Sequence, residues 1–408
     1  MSKKIIVIGG GASGFFAAIA CAEAHPGYDI TILERSPNLL SKVKISGGGR
    51  CNVTHACFEA RQLVKYYPRG EKQLRGPFTR FNPTHTIDWF RSRGVELKTE
   101  EDGRMFPVTD NSQTIINCFL GEAKRLGVKI QTHVGVEDLI PPKTNPENAQ
   151  WTLITNSGST MLADAVIVAT GSSARVWSML SGLGLQIVSA VPSLFSFNIK
   201  DERINDLVGL SVETATVSVV DTRLKTEGPL LITHWGMSGP GILRLSAWGA
   251  RLLAERHHQF QIEVNWTGKH TMPEVIEDIK QVKRRHAKKV VTANPLFNIP
   301  RRLWERLSGL VTGNKPQFNY ADLSNKQIEH LAKEIVAGRY KVTGKSTFKD
   351  EFVTAGGVDL KEIEFKTMQS KKLPGLFFAG EVLDIDAITG GFNFQCAWTT
   401  GWISGTSV

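Results

Sequence analysis

Gly9, Gly11 and Gly14 stand in the G-x-G-x-x-G spacing, and Glu34 follows twenty residues after the last of them. Each residue type has a chemical reason. The first glycine lets the chain turn sharply out of a strand, the second removes a Cβ where backbone must approach a pyrophosphate, and the third lets helix and strand pack closely. A phosphate can then rest on unpaired N–H groups at a helix N-terminus, and Glu34 can accept hydrogen bonds from a ribose diol. The surrounding pattern supplies the elements this requires. Ile5 to Ile8 is an apolar β-branched run, Phe15 to Ala24 is helical and free of Gly and Pro, Pro26-Gly27 breaks it, and Asp29 to Leu33 resumes as a strand. The spacing predicts a βαβ unit that binds a dinucleotide.

Further candidates lie along the chain. Lys42 to Asn52, KVKISGGGRCN, reads as a loop where backbone comes close to a ligand, with Lys42 and Arg50 able to neutralise a pyrophosphate. Cys51 is either near a flavin-type ring or a packed thiol. Gly103 to Pro107 reads as a loop whose Arg104 could bind a substrate carboxylate. Ala165 to Gly171 reads as a buried strand ending in a small-residue turn at Thr170-Gly171, and Leu376 to Glu381 as a strand ending in Gly380 and an acid. Ile388 to Phe394 is a glycine turn opening a helix, whose N-terminus can face the pyrimidine end of a flavin and stabilise negative charge there. His234, in the run from His234 to Pro240 read as a turn, is the candidate proton donor, since imidazole is the side chain most used for proton transfer.

The chain has 408 residues, 41% hydrophobic and 22% charged, ordinary for a soluble globular protein of two to three domains. No apolar run approaches membrane-span length, and a strand begins within a few residues of Met1, so neither a membrane segment nor a signal peptide is expected and the cytoplasm is the default. Five scattered cysteines without C-x-x-C argue against a disulfide framework or zinc site. The net charge of +10 suits phosphate-rich ligands. The densest basic run, Lys283 to Lys289, lacks interleaved aromatics and reads as a solvated helix face, so nucleic acid is not the expected partner. Composition changes at Pro192 and flavoprotein-like sequence returns after about Lys345, which predicts an inserted second domain.

The motifs SGGGRCN (Ser46 to Asn52), GRMFPV (Gly103 to Val108), THWGMSGP (Thr233 to Pro240), TAGGV (Thr354 to Val358) and AGEVLDIDAITGGFNFQCAW (Ala379 to Trp398) together resemble the BaiN/YhiN-like flavoproteins. These are the aminoacetone-oxidase family of NAD(P)/FAD-dependent oxidoreductases, with a glutathione-reductase-type FAD fold. The resemblance implies an α/β chain whose Rossmann-like FAD/NAD(P)-binding domain, residues 1–191 and 346–408, is interrupted by a β-barrel and helical insert, 192–345, serving as substrate or cap domain. It implies FAD contacts at Ser13, Glu34, Lys42, Gly48 to Arg50, Val136 and the Gly390 to Phe394 turn. With the residues read above, the expected cofactor set is Gly9, Gly11, Ala12, Ser13, Gly14, Glu34, Arg35, Lys42, Gly48, Gly49, Arg50, Cys51, Val136, Thr170, Gly171, Gly380, Glu381, Gly391, Phe392, Asn393 and Phe394. His234 and Arg104 are the expected catalytic pair. Phe392 stands where the family usually has tyrosine, which removes a phenol from the proton donors. No second G-x-G-x-x-G is in register, so NAD(P)H, as a transient donor, must bind on the insert or replace substrate at the flavin. The expected reaction is hydride transfer between flavin N5 and a small organic substrate, with reduction of an activated C=C bond ahead of amine oxidation. An RNA-binding flavoprotein and a non-catalytic flavin carrier remain open alternatives.

Overall fold

The structure is a computed structural model that describes residues 2–142, 150–346 and 353–408. Lys4–Ile8 forms a strand because its apolar side chains are buried from Ile5 onward. It is flanked in parallel by Asp29–Glu34 and by Ala165–Val168, which is buried throughout. The full sheet runs Ile363–Glu364, Gln369–Ser370, Leu376–Phe378, Ala165–Val168, Lys4–Ile8, Asp29–Glu34, Lys129–Thr132, and the last five strands are parallel. Continuous apolar runs of this kind belong to parallel sheets covered on both faces.

Helix Ala12–Ala24 is apolar on nearly every side, with every residue from Ser13 to Cys21 buried. A second helix, Phe392–Thr406, accounts for this by lying directly against it. A Cβ on Gly401 would stand 2.8 Å from the Ser13 carbonyl oxygen, and one on Gly405 would overlap the Ala17 carbonyl. The two helices therefore touch backbone to backbone. Around the contact Phe16 packs on Trp89 and Trp398, with ring centroids 4.7 and 5.5 Å away.

By compactness the chain divides into Met1–Val191 with Thr354–Val408, and Pro192–Val353. The second unit holds a closed six-stranded barrel in the order Phe197–Ile199, Gly236–Ser238, Lys225–Thr233, Ser211–Val219, Phe260–Asn265, Gly338–Lys345. Helices Met272–Arg285, Arg301–Thr312 and Asn325–Ala337 share its core, in which Trp266, Trp304 and Tyr340 are buried. Thr271 with Glu274 and Ser324 with Gln327 form capping boxes that start two of these helices. The expected return to the first domain at 346 adjoins residues 347–352, which lie outside the described residues.

Three local expectations are corrected. Arg104–Pro107 is a strand rather than a loop, because it pairs with Thr54–His55 on one side and Leu97–Thr99 on the other and buries Met105 and Phe106. Ser41–Gly49 begins as a helix, and the chain leaves helical geometry from Ser46 to Gly49, with all three glycines at positive φ. Gly236–Ser238 is a barrel strand, which confines the expected turn there to its first residues. After this strand the chain forms two helices, Pro240–Trp248 and Ala250–Glu255, which meet at Gly249.

Gly405→Ala is expected to destabilise the protein by about 1–3 kcal/mol, since backbone cannot yield to the added methyl as a side chain would. Gly182→Ala, where an added Cβ meets nothing within 4 Å, is the control. Urea unfolding midpoints compare them, and equal midpoints would contradict the backbone contact.

Candidate functional site

The turn after the first strand presents donors without partners. Gly9 leaves the strand at φ +113, its N–H donating to Leu33 O at 2.8 Å. Gly11 caps helix Ala12–Ala24 with no side-chain cap and no acid in the first turn. The first helical bond is Phe15 N–H to Gly11 O, so the N–H groups of Ala12, Ser13 and Gly14 precede it. A Cβ on Gly11, Gly48 or Gly49 would meet nothing within 4 Å, and one on Gly14 would overlap the Gly9 carbonyl. Thr170 Oγ1 is buried without a partner beside the positive-φ Gly171. This set of donors fits a pyrophosphate. Glu34 accepts from Gly10 N–H and Ser36 N–H, both at 2.8 Å, one through each oxygen. Each oxygen keeps a lone pair for a diol hydroxyl.

The cations expected here are mostly engaged with protein. Lys42 pairs with Glu381, which joins two predicted residues from distant parts of the chain. Arg35 pairs with Glu137 at 3.1 Å. Arg50 binds Glu100 at 2.6 Å and lies 3.9 Å over the Phe106 ring. Arg104 binds the same Glu100 at 2.9 Å and Asp102 at 2.7 Å. Its guanidinium is thus held by two carboxylates of its own hairpin instead of standing ready for a substrate's. Cys51 is fully buried and desolvation pushes its thiol up to about 12, so it is a packed thiol. Val136 is buried at the start of strand Val136–Ile140.

At the other end, Gly390 and Gly391 turn at φ +130 and +92 into helix Phe392–Thr406. The Asn52 amide, with Oδ1 toward Gly391 N–H at 3.0 Å and its NH₂ toward Thr54 O at 3.0 Å, pins this turn. Asn393 clasps Ala387 through both backbone groups, at 2.9 and 3.1 Å. Phe394 stacks on Trp398 at 5.4 Å. Phe392 is buried and stacks on Tyr66 at 4.3 Å and on His55 at 4.6 Å, while Tyr67 OH donates to its carbonyl at 2.6 Å.

His55, Tyr66 and Asn52 are site residues the sequence did not single out. His55 Nε2 lies 3.1 Å from Asp102 O, which assigns the proton to Nε2. Nδ1 is buried with no partner, so a lone pair is left beside the Gly390-Gly391 turn. The sequence signal was slight: a histidine three residues after the GGGRCN motif whose neighbour Phe392 is more than three hundred residues away. His234 is exposed in the hairpin between Lys225–Thr233 and Gly236–Ser238 of the second unit. Among the described residues no cluster of His, Cys, Asp or Glu could hold a metal, and no helix is long and apolar enough to cross a membrane.

Residues 3–407 match the family model described as HI0933-like protein Rossmann domain. The chain belongs to this family. As an HI0933-like protein it is an FAD-dependent oxidoreductase. It is 28% identical to the 3-dehydro-bile acid delta(4,6)-reductase of Clostridium scindens, over 99% of this chain and 98% of that protein. It is 26% identical to the ribosomal RNA dihydrouridine synthase of Escherichia coli, over 97% and 96%. The solved 3-ketosteroid-delta4-(5alpha)-dehydrogenase from Rhodococcus jostii RHA1 shares the fold of this HI0933-like chain. Its TM-score is 0.51 at 14% identity, over 100% of this chain and 97% of that one.

Burial holds the His55 imidazole below its ordinary pKa. On acidification the unfolded chain therefore takes up this proton first, and stability is lost as pH falls below about 6.5. His55→Gln is expected to lessen the fall in urea midpoint between about pH 7 and about pH 5.5. An unchanged fall would show that His55 is not held neutral.

Proposed function

We propose that this HI0933-like protein reduces a carbon–carbon double bond conjugated to a carbonyl, with NAD(P)H restoring the electrons. The observation that carries this reading is the pair of relatives aligned end to end, whose names describe saturation of C=C bonds in unlike molecules, a bile acid and a uridine. The shared chemistry is hydride addition to the carbon β to a carbonyl, followed by protonation at the α carbon.

FAD when bound supplies the hydride. The residues divide the remaining work. Gly11, Ala12, Ser13 and Gly14 receive the pyrophosphate on backbone N–H groups where Gly9 turns the chain out of the strand, with Thr170-Gly171 beneath it. Glu34, with Arg35 and Val136 nearby, binds the adenosine ribose. Lys42, Gly48, Gly49, Arg50, Gly380 and Glu381 line the path to the flavin, and the turn from Gly391 through Phe392 and Asn393 to Phe394 presents a helix N-terminus to it. Lys42 and Glu381 neutralise each other. His55, held neutral, gives an acceptor at Nδ1. His234 is the proposed source of the α-carbon proton.

Anaerobic NADH or NADPH should bleach the yellow protein, and an α,β-unsaturated carbonyl should restore the colour faster than its saturated analogue or a primary amine–imine pair. Colour restored by oxygen alone, or bleaching by an amine, would instead support an oxidase. His234→Gln should slow re-oxidation by enone by roughly two to four powers of ten with FAD content unchanged. A wild-type rate would remove His234 from the step. Glu34→Ala should weaken FAD by roughly tenfold or more and FMN little, since FMN has no adenosine ribose. Equal losses would sink the ribose assignment.

A further inference from the structure

The positive charge of this chain is uneven. Residues 192–353 carry 24 Lys and Arg against 17 Asp and Glu, so the second unit holds +7 of the net +10. Within it the cations gather where helix Met272–Arg285 ends. Helix C-termini favour cations, and two of these serve the fold: Lys283 donates to Leu323 O at 2.5 Å, and Arg284 pairs with Glu277 at 2.5 Å. Arg285, Lys288 and Lys289 are exposed and have no ion-pair partner among the described residues. Lys288 and Lys289 lie beyond the helix, on a segment held by Ala321 N–H to Ala287 O and Tyr320 N–H to Lys289 O, both at 2.9 Å. Their backbone is therefore fixed before any ligand arrives.

Arg285 and His286, just before Lys288 and Lys289 in the chain, line a concave groove of about 260 Å³ together with Asp278, Gln281 and Phe297 among others. Phe297 supplies the aromatic that the linear basic run lacks. Phe297 and Asn298 both sit in the left-handed region, at φ +58 and +56, and His270 meets the phenyl ring at 5.3 Å. Two successive non-glycine residues in that region make a strained presentation of the kind found at ligand clamps. Cations that track a backbone, next to an aromatic on which a base can stack, are how proteins hold single-stranded nucleic acid. Asp278 and Gln281 add an acceptor and an amide for a base edge.

We propose that this groove, with Arg285, Lys288, Lys289 and Phe297, is a docking face for single-stranded RNA. The proposal rests on the reading above in one respect, that the reducible double bond includes that of a uracil ring in RNA. Binding is measured without turnover, so the two can fail separately.

The test is fluorescence anisotropy of the FAD-loaded protein with a labelled oligouridylate of about 12 nucleotides, over a range of salt. Arg285→Ala/Lys288→Ala/Lys289→Ala should weaken binding more than tenfold and flatten the slope of log K against log salt by about 2, at roughly 0.7 per lost phosphate contact. Phe297→Leu should weaken binding roughly tenfold and leave that slope unchanged, because stacking is lost and charge is not. A duplex of the same length should bind more weakly, its bases being unable to reach Phe297. Far-UV circular dichroism and FAD content identify any misfolded variant, and the single charge reversal Lys288→Glu then takes the triple's place. No binding by the wild type, equal binding of strand and duplex, or variants with wild-type affinity and slope would overturn the docking face. RNA binding that never re-oxidises the flavin would leave the face standing and remove RNA as acceptor.

Discussion

The first unit depends on one contact, the backbone-to-backbone approach of helices Ala12–Ala24 and Phe392–Thr406 through Gly401 and Gly405. Proximity at that seam gives helix Ala12–Ala24 an apolar neighbour in addition to the sheet, which is why it carries so little polar surface. It also sets the helix N-termini. One begins at the Gly9–Gly14 turn and the other at Gly390-Gly391, so two positive dipole ends belong to the same packed pair. A dinucleotide needs such ends for its phosphates and for the charge it gains on reduction.

Around the seam the protein arranges groups that hold geometry without adding net charge. Gln395 is buried, accepting from Thr54 Oγ1 at 2.6 Å and Thr86 Oγ1 at 2.9 Å and donating to Thr399 Oγ1 at 3.1 Å, which ties the last helix to strand Thr54–His55 and helix Pro83–Arg91. Trp398 Nε1–H donates to Val53 O at 2.8 Å. Buried Asp386 is met by Arg69. With these bonds satisfied, the strand that carries His55 and the turn that carries Phe392 are fixed relative to each other, and the imidazole is left neutral with one lone pair unused.

Much of this was legible because glycines and apolar runs are local signals. The spacing of Gly9, Gly11 and Gly14, the acid at Glu34 and the strand Ala165–Val168 each declare themselves within a few residues. What was hidden depends on distant pairing. Arg104–Pro107 looks like a loop until Thr54–His55 and Leu97–Thr99 are laid beside it, and Arg104 looks free until Glu100 and Asp102 are seen to hold it. His55 carries no motif of its own. Its meaning comes from Phe392 and Asp102, which only the folded chain brings near. The Lys283 to Lys289 run lacked an aromatic in sequence, and Phe297 reaches its groove from the following loop.

The central claim, that hydride passes to a conjugated carbon–carbon double bond, is tested most directly by a single turnover. Enzyme reduced with dithionite in D₂O, where the flavin N5 hydrogen exchanges with solvent, is mixed anaerobically with one equivalent of an α,β-unsaturated carbonyl, and the product is read by mass spectrometry and NMR. The account predicts a saturated product with one deuteron on each carbon of the former double bond. Unsaturated compound recovered with the flavin still reduced, or deuterium at the α carbon alone from simple exchange, would contradict it.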